Sequence, residues 1–256
     1  MKTGLGKMIR TVPGGERLLT TLRRRRDVQA ASRPYSPDTW SPDTPLQDVF
    51  TDIFDQNLWR DGESISGAGS TLEYTENLRK ALPGILARAD ARTLLDAPCG
   101  DYNWMRVVER PTGMRYIGAD IVPALIDRNN ERYRSPDTEF RVLDITADPL
   151  PDADVWMCRD VLFHLSYRQI DGALANFARS NIRYLLTTTH TRCKENVDVA
   201  PGGFRLLRLE LPPFDFPPAE VYVEDWIPGH PPRQMGLWSR EALLPALRAR
   251  QEASRA

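Results

Sequence analysis

TLLDAPCGD (residues 93–101) is an apolar run that ends at Asp96 and passes into a turn around Gly100. A short apolar run closed by a carboxylate is typical of a buried parallel strand whose carboxyl end reaches a ligand crevice. The pattern recurs at intervals of 24 residues, where YIGA ends at Asp120 and FRVL ends at Asp144. Each interval has room for a strand, a helix and two loops. The repeat therefore predicts adjacent strands of an α/β sheet with three carboxylates at one edge.

The remaining elements follow from the same kind of pattern. Apolar runs predict parallel strands at 155–158 and 184–189. The alternating run at 205–211 predicts an antiparallel strand, and 221–223 and 236–238 are short strand candidates. Helical spacing of apolar residues predicts helices at 46–59, at 72–88 with an interruption near Pro83, and at 166–178 with Ser166 as N-cap. The expected fold is α/β, a doubly wound and mostly parallel sheet with an antiparallel C-terminal hairpin.

The three strand-end acids predict a site for a cationic, hydroxyl-rich nucleoside. Asp120 is placed to accept hydrogen bonds from both ribose hydroxyls. Asp144 can accept from an adenine amino group, while the Ile145 amide donates to the ring. Taken alone, each acid is more commonly a turn or cap residue, and only their common register favours the ligand. The turn at Gly100 is neither a GxGxxG fingerprint nor a P-loop, so a nucleotide diphosphate is not indicated.

Four segments carry a family resemblance: LLDAPCGD (94–101), YIGADI (116–121), VLDIT (142–146) and CRDVLFHL (158–165). They resemble successive motifs of the class I S-adenosylmethionine-dependent methyltransferases, in a bacterial branch with a DAPCGD turn. The resemblance spans roughly residues 64–190 and implies a Rossmann-like methyltransferase fold with S-adenosylmethionine as cofactor. The cofactor-binding residues expected on this basis are Asp96, Pro98, Gly100, Trp104, Asp120, Ile121, Asp144, Ile145 and Arg159. No metal is expected.

Two features near the first turn qualify the resemblance. The family turn is usually Asp/Glu-X-Gly-X-Gly-X-Gly, whereas Pro98 and Tyr102 stand at the first and third glycine positions here. The segment SISGAGST (64–71) lies where the family often places a lid, and its hydroxyls can wrap the methionine carboxylate. It can equally be a helix N-cap loop with Ser70 or Thr71 as cap, and both readings remain open.

The end of the fourth predicted strand indicates the acceptor side. Asp160 and His164 are four residues apart, so on a helix they would share a face. We expect His164 to act as general base for an acceptor hydroxyl, with Asp160 holding its ring or the acceptor. The alternative is that His164 packs beneath the following helix. His190, at the end of the fifth strand, is a weaker candidate.

The acceptor is not encoded in a recognisable motif. The strand-4 end lacks the Asn/Asp-Pro-Pro-Tyr/Phe signature that marks amino-group methylation in similar enzymes. We therefore expect methylation of an oxygen on a small-molecule acceptor, such as a saccharide or secondary metabolite. A non-catalytic adenosyl-binding partner subunit and a nucleic-acid methyltransferase are the alternatives, although nucleic acid is disfavoured as a partner by the acidic body.

Composition divides the chain into an arm and a body. Residues 1–33 contain nine Lys/Arg and two acids, although the whole chain carries a net charge of −1. We expect residues 1–44 to form a basic N-terminal arm and proline-rich linker, and residues 45–256 to form the methyltransferase domain. Within that domain we expect a helical lid (45–90), a cofactor-binding core (91–190) and acceptor-side strands and loop (191–256). Three cysteines without a CxxC pair, and no apolar run long enough to span a membrane, indicate a cytoplasmic protein.

Overall fold

A computed structural model describes residues 40, 41 and 43–253, and within them a seven-stranded sheet carries helices on both faces. The strands are β1 (Thr93–Asp96), β2 (Arg115–Asp120), β3 (Thr138–Val142), β4 (Val155–Cys158), β5 (Tyr184–His190), β6 (Val221–Glu224) and β7 (Arg233–Ser239). The helices are α1 (Leu46–Asp55), α2 (Glu76–Arg88), α3 (Pro123–Tyr133), α4 (Tyr167–Arg179) and α5 (Arg240–Ala253). Most of the predicted basic arm, residues 1–39, lies outside the described residues.

The strand order β3-β2-β1-β4-β5-β7-β6 confirms the predicted fold class. β1 to β5 are mutually parallel where they pair, and β7 runs antiparallel to both β5 and β6. The chain proceeds from β1 through β2 to β3 and then returns to place β4 beside the opposite edge of β1. Strand order thus reverses between β1 and β4, which is the position where open α/β sheets bind ligands.

Alternation along the strands supplies apolar side chains to both faces of the sheet. Leu95 of β1 faces a core that includes side chains of α1, α4 and α5. Its neighbour Leu94 faces a second core, which α2 and the segment 99–108 cover. Successive side chains of a strand point to opposite faces, so a buried strand must be apolar at every position. This explains why the strands read as continuous apolar runs.

The 24-residue interval was interpreted too simply. Only the β2–β3 connection contains an α-helix, α3, whereas the β1–β2 connection has just the short 3-10 helix Met105–Val107. The β3–β4 connection, residues 143–154, is made of turns and bends. The β1–β2 connection contains Pro98, Pro111 and Gly113, and the β3–β4 connection contains Pro149 and Pro151. Proline lacks the amide donor that a helix interior requires.

Two other element predictions were wrong. α2 is continuous through Pro83, because Leu78, Leu82 and Leu86 hold both of its halves on the sheet. The alternating segment 205–211 forms no strand. It runs beside β5, but the His190 amide donates to the Leu207 carbonyl while side chains supply neighbouring bonds, as where the Leu209 amide donates to Thr189 Oγ1. The alternation of apolar and polar residues at 205–211 therefore reflects one buried face, and the segment does not make the continuous backbone pairing of a strand. The Ser166 cap of α4 is confirmed, in a capping box with Gln169.

Across residues 40, 41 and 43–253, none of the helices combines the length and the apolar character that a membrane crossing requires.

Candidate functional site

A cavity of about 960 Å³, including its open mouth, lies at the carboxyl ends of β1, β2 and β4. All nine residues expected to bind a cofactor line it, and so does Asp160. His164 is not among the lining residues. The structure therefore brings together the residues predicted on the cofactor side and places the predicted general base outside the wall of the cavity.

The turn after β1 is built around Gly100, whose φ is +54°. A Cβ atom at this position would lie 2.3 Å from Ser66 Oγ, so a larger residue is excluded by the segment that covers the turn. The Gly100 amide donates to Asp120 Oδ2 at 3.1 Å. The described contacts show that glycine at this position admits Ser66 and that its amide orients Asp120, while Gly100 itself lines the cavity.

Asp96 and Asp120 are both buried carboxylates. Asp96 accepts a hydrogen bond from the Tyr116 hydroxyl at 2.6 Å, and burial nevertheless raises the pKa of Asp96 to about 7. Asp120 accepts from the amides of Val122 and Gly100, and burial raises its pKa to about 6 against these two donors. Desolvation disfavours the charged form of a carboxyl group, so a cation or hydroxyl donors in this cavity would favour ionisation.

Asp144 and Ile145 lie on the third side of the cavity, just after β3. Asp144 Oδ1 accepts from both the amide and the hydroxyl of Thr146, at 2.8 Å and 2.6 Å. The Ile145 carbonyl accepts from Asn176 Nδ2 of α4. These bonds fix the backbone at the point where the Ile145 amide was predicted to meet an adenine ring.

An apolar stripe on α1 forms a wall of the cavity, and the sequence analysis placed this helix in the lid without naming any of its residues as site residues. Leu46, Phe50 and Phe54 follow one another at intervals of four residues and line the cavity together with Trp59. Residues four apart lie on one face of a helix, so the spacing itself contained the signal. In contrast, α2 packs on the opposite face of the sheet. Of the predicted lid at 45–90, the parts at the cavity are α1 and residues 59–70.

Residues 63–71, here called the lid segment, are tied to the turn after β1. Ser64 Oγ and the Ile65 amide donate to the Asp101 carboxylate, and the Asp101 amide donates to Ser66 Oγ at 2.9 Å. Asn103 Nδ2 donates to the Ser70 carbonyl. Of the two expected caps, Thr71 makes a capping contact among the described residues, since its Oγ1 accepts from the Tyr74 amide. The segment thus both covers the cavity and starts the turn before α2.

At the end of β4, four charged side chains form a cluster, here called the ion quartet: Arg159, Asp225 and Arg233, which are buried, and Asp160, whose side chain is 20% exposed. Asp225 accepts from Arg159 Nε and Nη2 at 2.9 Å and 3.0 Å. Asp160 accepts from Arg233 Nη2 and lies 3.4 Å from Arg159 Nη1. Arg159 also donates to the Gly69 carbonyl of the lid segment at 2.7 Å. The quartet joins β4, β7 and the lid segment with no net charge.

The quartet fixes the ionisation of its members. Burial opposes the charged form of Asp160, but Arg159 and Arg233 lower the pKa of its carboxyl group below the usual range. Burial likewise opposes the charged form of Arg159, while Asp160 and Asp225 raise its pKa. Sequence analysis identified Arg159 and Asp160 but missed Asp225 and Arg233. Both come from the C-terminal region, and no motif marks them.

His164 does not share a helical face with Asp160. Asp160 precedes the short 3-10 helix Leu162–His164, and the Gly203 carbonyl holds the ring through Nδ1 at 2.7 Å. A carbonyl oxygen only accepts, so Nδ1 is the protonated nitrogen and Nε2 carries the lone pair. Burial lowers the pKa of His164 to about 4, which makes the imidazole neutral. Its ring contacts Trp59, whose centroid is 6.1 Å away and which lines the cavity.

His190 is more enclosed than His164. It is 1% exposed, and its Nδ1 lies 3.2 Å from the Leu207 carbonyl oxygen. Burial lowers its pKa to about 4 as well. The described contacts give it a place in the core between β5 and the segment 205–211.

The fold and the cavity at its switch point correspond to the class I methyltransferase fold. Residues 94–181 match the model of a family described as a methyltransferase domain. A search of the curated proteins finds no match to the chain. The family match covers β1 to α4 and therefore includes every strand end that lines the cavity.

Solved structures share the fold at low sequence identity. Magnesium protoporphyrin IX methyltransferase from Synechocystis PCC 6803, with bound SAH, is 10% identical with a TM-score of 0.55, over 76% of this chain and 98% of that chain. The same enzyme with bound SAM is 12% identical with a TM-score of 0.53, over 78% and 100%. The methyltransferase domain of bacterial CtHen1 is 13% identical with a TM-score of 0.50, over 65% and 98%.

Residues 94–181 therefore belong to a methyltransferase domain with the class I fold, for which S-adenosylmethionine is the cofactor. The predictions of the superfamily, the fold class and the cofactor are confirmed.

Proposed function

We propose that this methyltransferase transfers a methyl group to a hydroxyl of a small-molecule acceptor, such as a saccharide or secondary metabolite. The observation that carries the proposal is the polarity of the cavity. Its cofactor side holds three strand-end acids and an apolar stripe, and its β4 side presents the Asp160 carboxylate. S-adenosylmethionine supplies a methyl group on a sulfonium centre, a cation that carboxylates attract.

The cofactor half of the site fits a nucleoside. Asp120 is oriented by the amides of Gly100 and Val122 and is proposed to accept from the ribose hydroxyls. Asp144 and the Ile145 amide are proposed to meet the adenine edge, with Phe50 and Phe54 on the apolar side. The lid segment contributes the Ser66 and Ser70 side chains, in keeping with a role at the methionine carboxylate. The remaining expected residues, Asp96, Pro98, Trp104, Ile121 and Arg159, complete the wall.

On the acceptor side, Asp160 and His164 are proposed to act in different ways. Asp160 lies in the cavity wall as an ionised carboxylate, so it can accept a hydrogen bond from an acceptor hydroxyl and orient its oxygen. His164 is neutral, with the lone pair on Nε2, but it does not line the cavity. It is proposed to receive the hydroxyl proton from an acceptor that reaches past Trp59, the lining residue that its ring contacts. Alignment of the acceptor oxygen supplies most of the assistance, since proximity can contribute roughly 7–11 kcal/mol.

The compensated charge of the ion quartet supports a neutral acceptor. Each of its arginines already faces an aspartate, so an acceptor carboxylate or phosphate would find no uncompensated cation there. This disfavours nucleic acid, whose recognition depends on neutralising phosphates.

The buried, unpaired thiols of Cys99, Cys158 and Cys193 support the further proposal of a reducing, cytoplasmic compartment.

The proposal is tested by calorimetry and by an acceptor screen. S-adenosylmethionine and S-adenosylhomocysteine should bind, and a screen of saccharides, phenols, amines, carboxylates and oligonucleotides should give turnover with hydroxyl acceptors. Asp160→Asn should retain binding of S-adenosylhomocysteine and lose turnover. Preferential methylation of carboxylates or oligonucleotides would contradict the proposal. Binding of both cofactor forms without turnover in any class would favour a non-catalytic adenosyl-binding subunit.

A further inference from the structure

The position of Asp160 depends on contacts from outside its own strand. Its φ is +57°, in the left-handed region that residues other than glycine seldom adopt. Such a conformation persists where surrounding contacts determine it. The Asp160 amide donates to Thr188 Oγ1 at 3.0 Å, and its carboxylate meets Arg233 of β7. Asp160 is therefore held from both β5 and β7.

Arg233 is itself buried between aromatic rings. Its guanidinium carbon lies 4.5 Å from the centroid of Tyr74 and 6.0 Å from that of Phe163. Its Nε is 3.8 Å from Asp225 Oδ2. Arg233 does not line the cavity, so its guanidinium acts on the site through the two aspartates that it faces, of which Asp160 lines the wall. A flat cation fixed in this way can orient a carboxylate more tightly than a flexible ammonium.

We propose that Arg233 is a positioning residue, which holds the Asp160 carboxylate in the cavity wall on the side where the acceptor binds. The inference rests on the proposed function for its catalytic meaning, but the geometry that it describes belongs to this chain alone. Gly69 of the lid segment leaves the space that the arrangement needs. A Cβ atom there would lie 2.9 Å from Asp160 Oδ2 and 3.0 Å from Arg233 Nη2.

Removal of the Arg233 charge should shift the pKa of Asp160 in a direction that can be measured. Arg159 and Arg233 both favour the ionised form of Asp160, so removing Arg233 must raise the pH at which this carboxyl group titrates. The groups that face Asp160 from the neighbouring elements are Arg159, Arg233, Tyr74, His164, His190, His230 and Asp225. Burial lowers the pKa of all three histidines, and His164 and His190 are neutral at pH 7, so these rings add little charge over the range of interest.

The experiment follows the Asp160 carboxyl carbon by NMR in protein labelled with ¹³C-aspartate, with the signal assigned through Asp160→Asn. Arg233→Met should raise the titration midpoint, and Arg233→Lys should give a midpoint between those of the wild type and Arg233→Met. Arg250→Met is the matched control, since Arg250 makes a partly buried, two-bond pair with Asp171 away from the cavity. The control should leave the midpoint unchanged.

Calorimetry with S-adenosylhomocysteine separates this inference from the proposed function. Arg233→Met should bind it within about threefold of the wild type, because Arg233 does not line the cavity. An unchanged Asp160 midpoint in the Arg233 variants that fold, or an equal rise in Arg250→Met, would overturn the inference. Failure of the wild type to bind S-adenosylhomocysteine would overturn the proposed function and leave the titration result standing.

Discussion

Asp96 and Asp120 occupy positions where a carboxylate is costly in the absence of a ligand. Burial raises their pKa values to about 7 and about 6, from an ordinary value of 3.8. The native state therefore retains protons that the unfolded chain releases between about pH 4 and pH 7. Stability from these two groups is highest below pH 4 and falls as the pH rises through that window. A cationic ligand would reverse part of this loss.

The first prediction follows for cofactor affinity. Since hydroxyl donors and a sulfonium cation favour ionised carboxylates, affinity for S-adenosylmethionine should rise from pH 5 to pH 8. Asp120→Asn should weaken binding and flatten the rise, as measured by calorimetry across this range. Asp127→Asn is the control, because Asp127 is exposed on α3. An affinity that does not change with pH in the wild type would contradict the assignment of Asp120.

The second prediction concerns the proposed base. His164→Ala should keep cofactor affinity and lower turnover by about 10² to 10⁴, the usual contribution of general acid–base assistance. Because burial lowers its pKa to about 4, His164 should produce no acid limb near pH 6.5. His230→Ala provides a histidine control, and turnover is measured with an acceptor found by the screen. Turnover of His164→Ala within about threefold of the wild type would remove His164 from the mechanism.

Among the elements, the lid segment connects two sides of the cavity. It is bonded to the turn after β1 through Asp101 and to β4 through Arg159. Its Gly69 contacts the Asp160–Arg233 pair so closely that a methyl group would have to displace one of them. Closure of the segment and the geometry of the ion quartet are therefore linked.

The third prediction is a consequence of that contact. Gly69→Ala should weaken S-adenosylhomocysteine binding roughly tenfold, because overpacking costs about 1–3 kcal/mol and pushes the segment away from the site. Gly62→Ala is the matched control, since nothing lies within 4 Å of a Cβ atom at Gly62. Equal affinities in the two variants would show that the segment accommodates the methyl group without moving.

The fourth prediction concerns the stability of the ion quartet. Asp225→Ala leaves the buried Arg159 guanidinium without its two-bond partner, and breaking a buried pair in this way costs about 3–5 kcal/mol. Urea unfolding measures the loss. Glu76→Ala removes an exposed pair with Lys80 and should change stability little. A similar small change in both variants would mean that water or another group replaces Asp225.

At the scale of the whole molecule, the described residues contain a seven-stranded sheet and the cavity at its switch point. Trp40 is the first described residue that packs on this body. Its indole donates to Asp52 of α1 at 3.0 Å, and a Cβ atom at Gly202 would meet its ring at 3.1 Å. The boundary of the functional body is therefore proposed to lie before Trp40, a few residues earlier than the predicted boundary at residue 45.

The fifth prediction tests this boundary. Deletion of residues 1–39 should leave cooperative unfolding and S-adenosylhomocysteine affinity unchanged, as judged by thermal melting and calorimetry. Deletion of residues 1–44 removes the Trp40 contacts with α1 and should lower the melting temperature. Aggregation of the shorter deletion would show that the arm contributes to the folded body, and equal stability of both would show that Trp40 does not.

The sequence determined the parallel strands and their chemistry. A parallel strand buried on both faces must be apolar throughout, and the carboxylate that ends it marks the edge of the sheet. For this reason β1, β2 and the nearby acids could be predicted from the sequence. A second local signal, helix capping, located Ser166 as the cap of α4. Local signals failed where the outcome depends on contacts with residues distant in the chain. Alternation at 205–211 recorded burial without pairing, and Pro83 was tolerated because leucines anchor α2 on the sheet.

Only the tertiary structure decided how the acceptor side is assembled. Asp225 and Arg233 lie more than 60 residues from Arg159 and Asp160 along the chain, at separations of 66 and 73 for the bonded pairs. They are brought to β4 because β7 inserts antiparallel between β5 and β6. His164 likewise does not line the cavity, and the Gly203 carbonyl from a distant loop holds its ring through Nδ1. A strand-end acid is specified by its own strand, whereas a buried ion pair is specified by the pairing of distant strands, which no local pattern records.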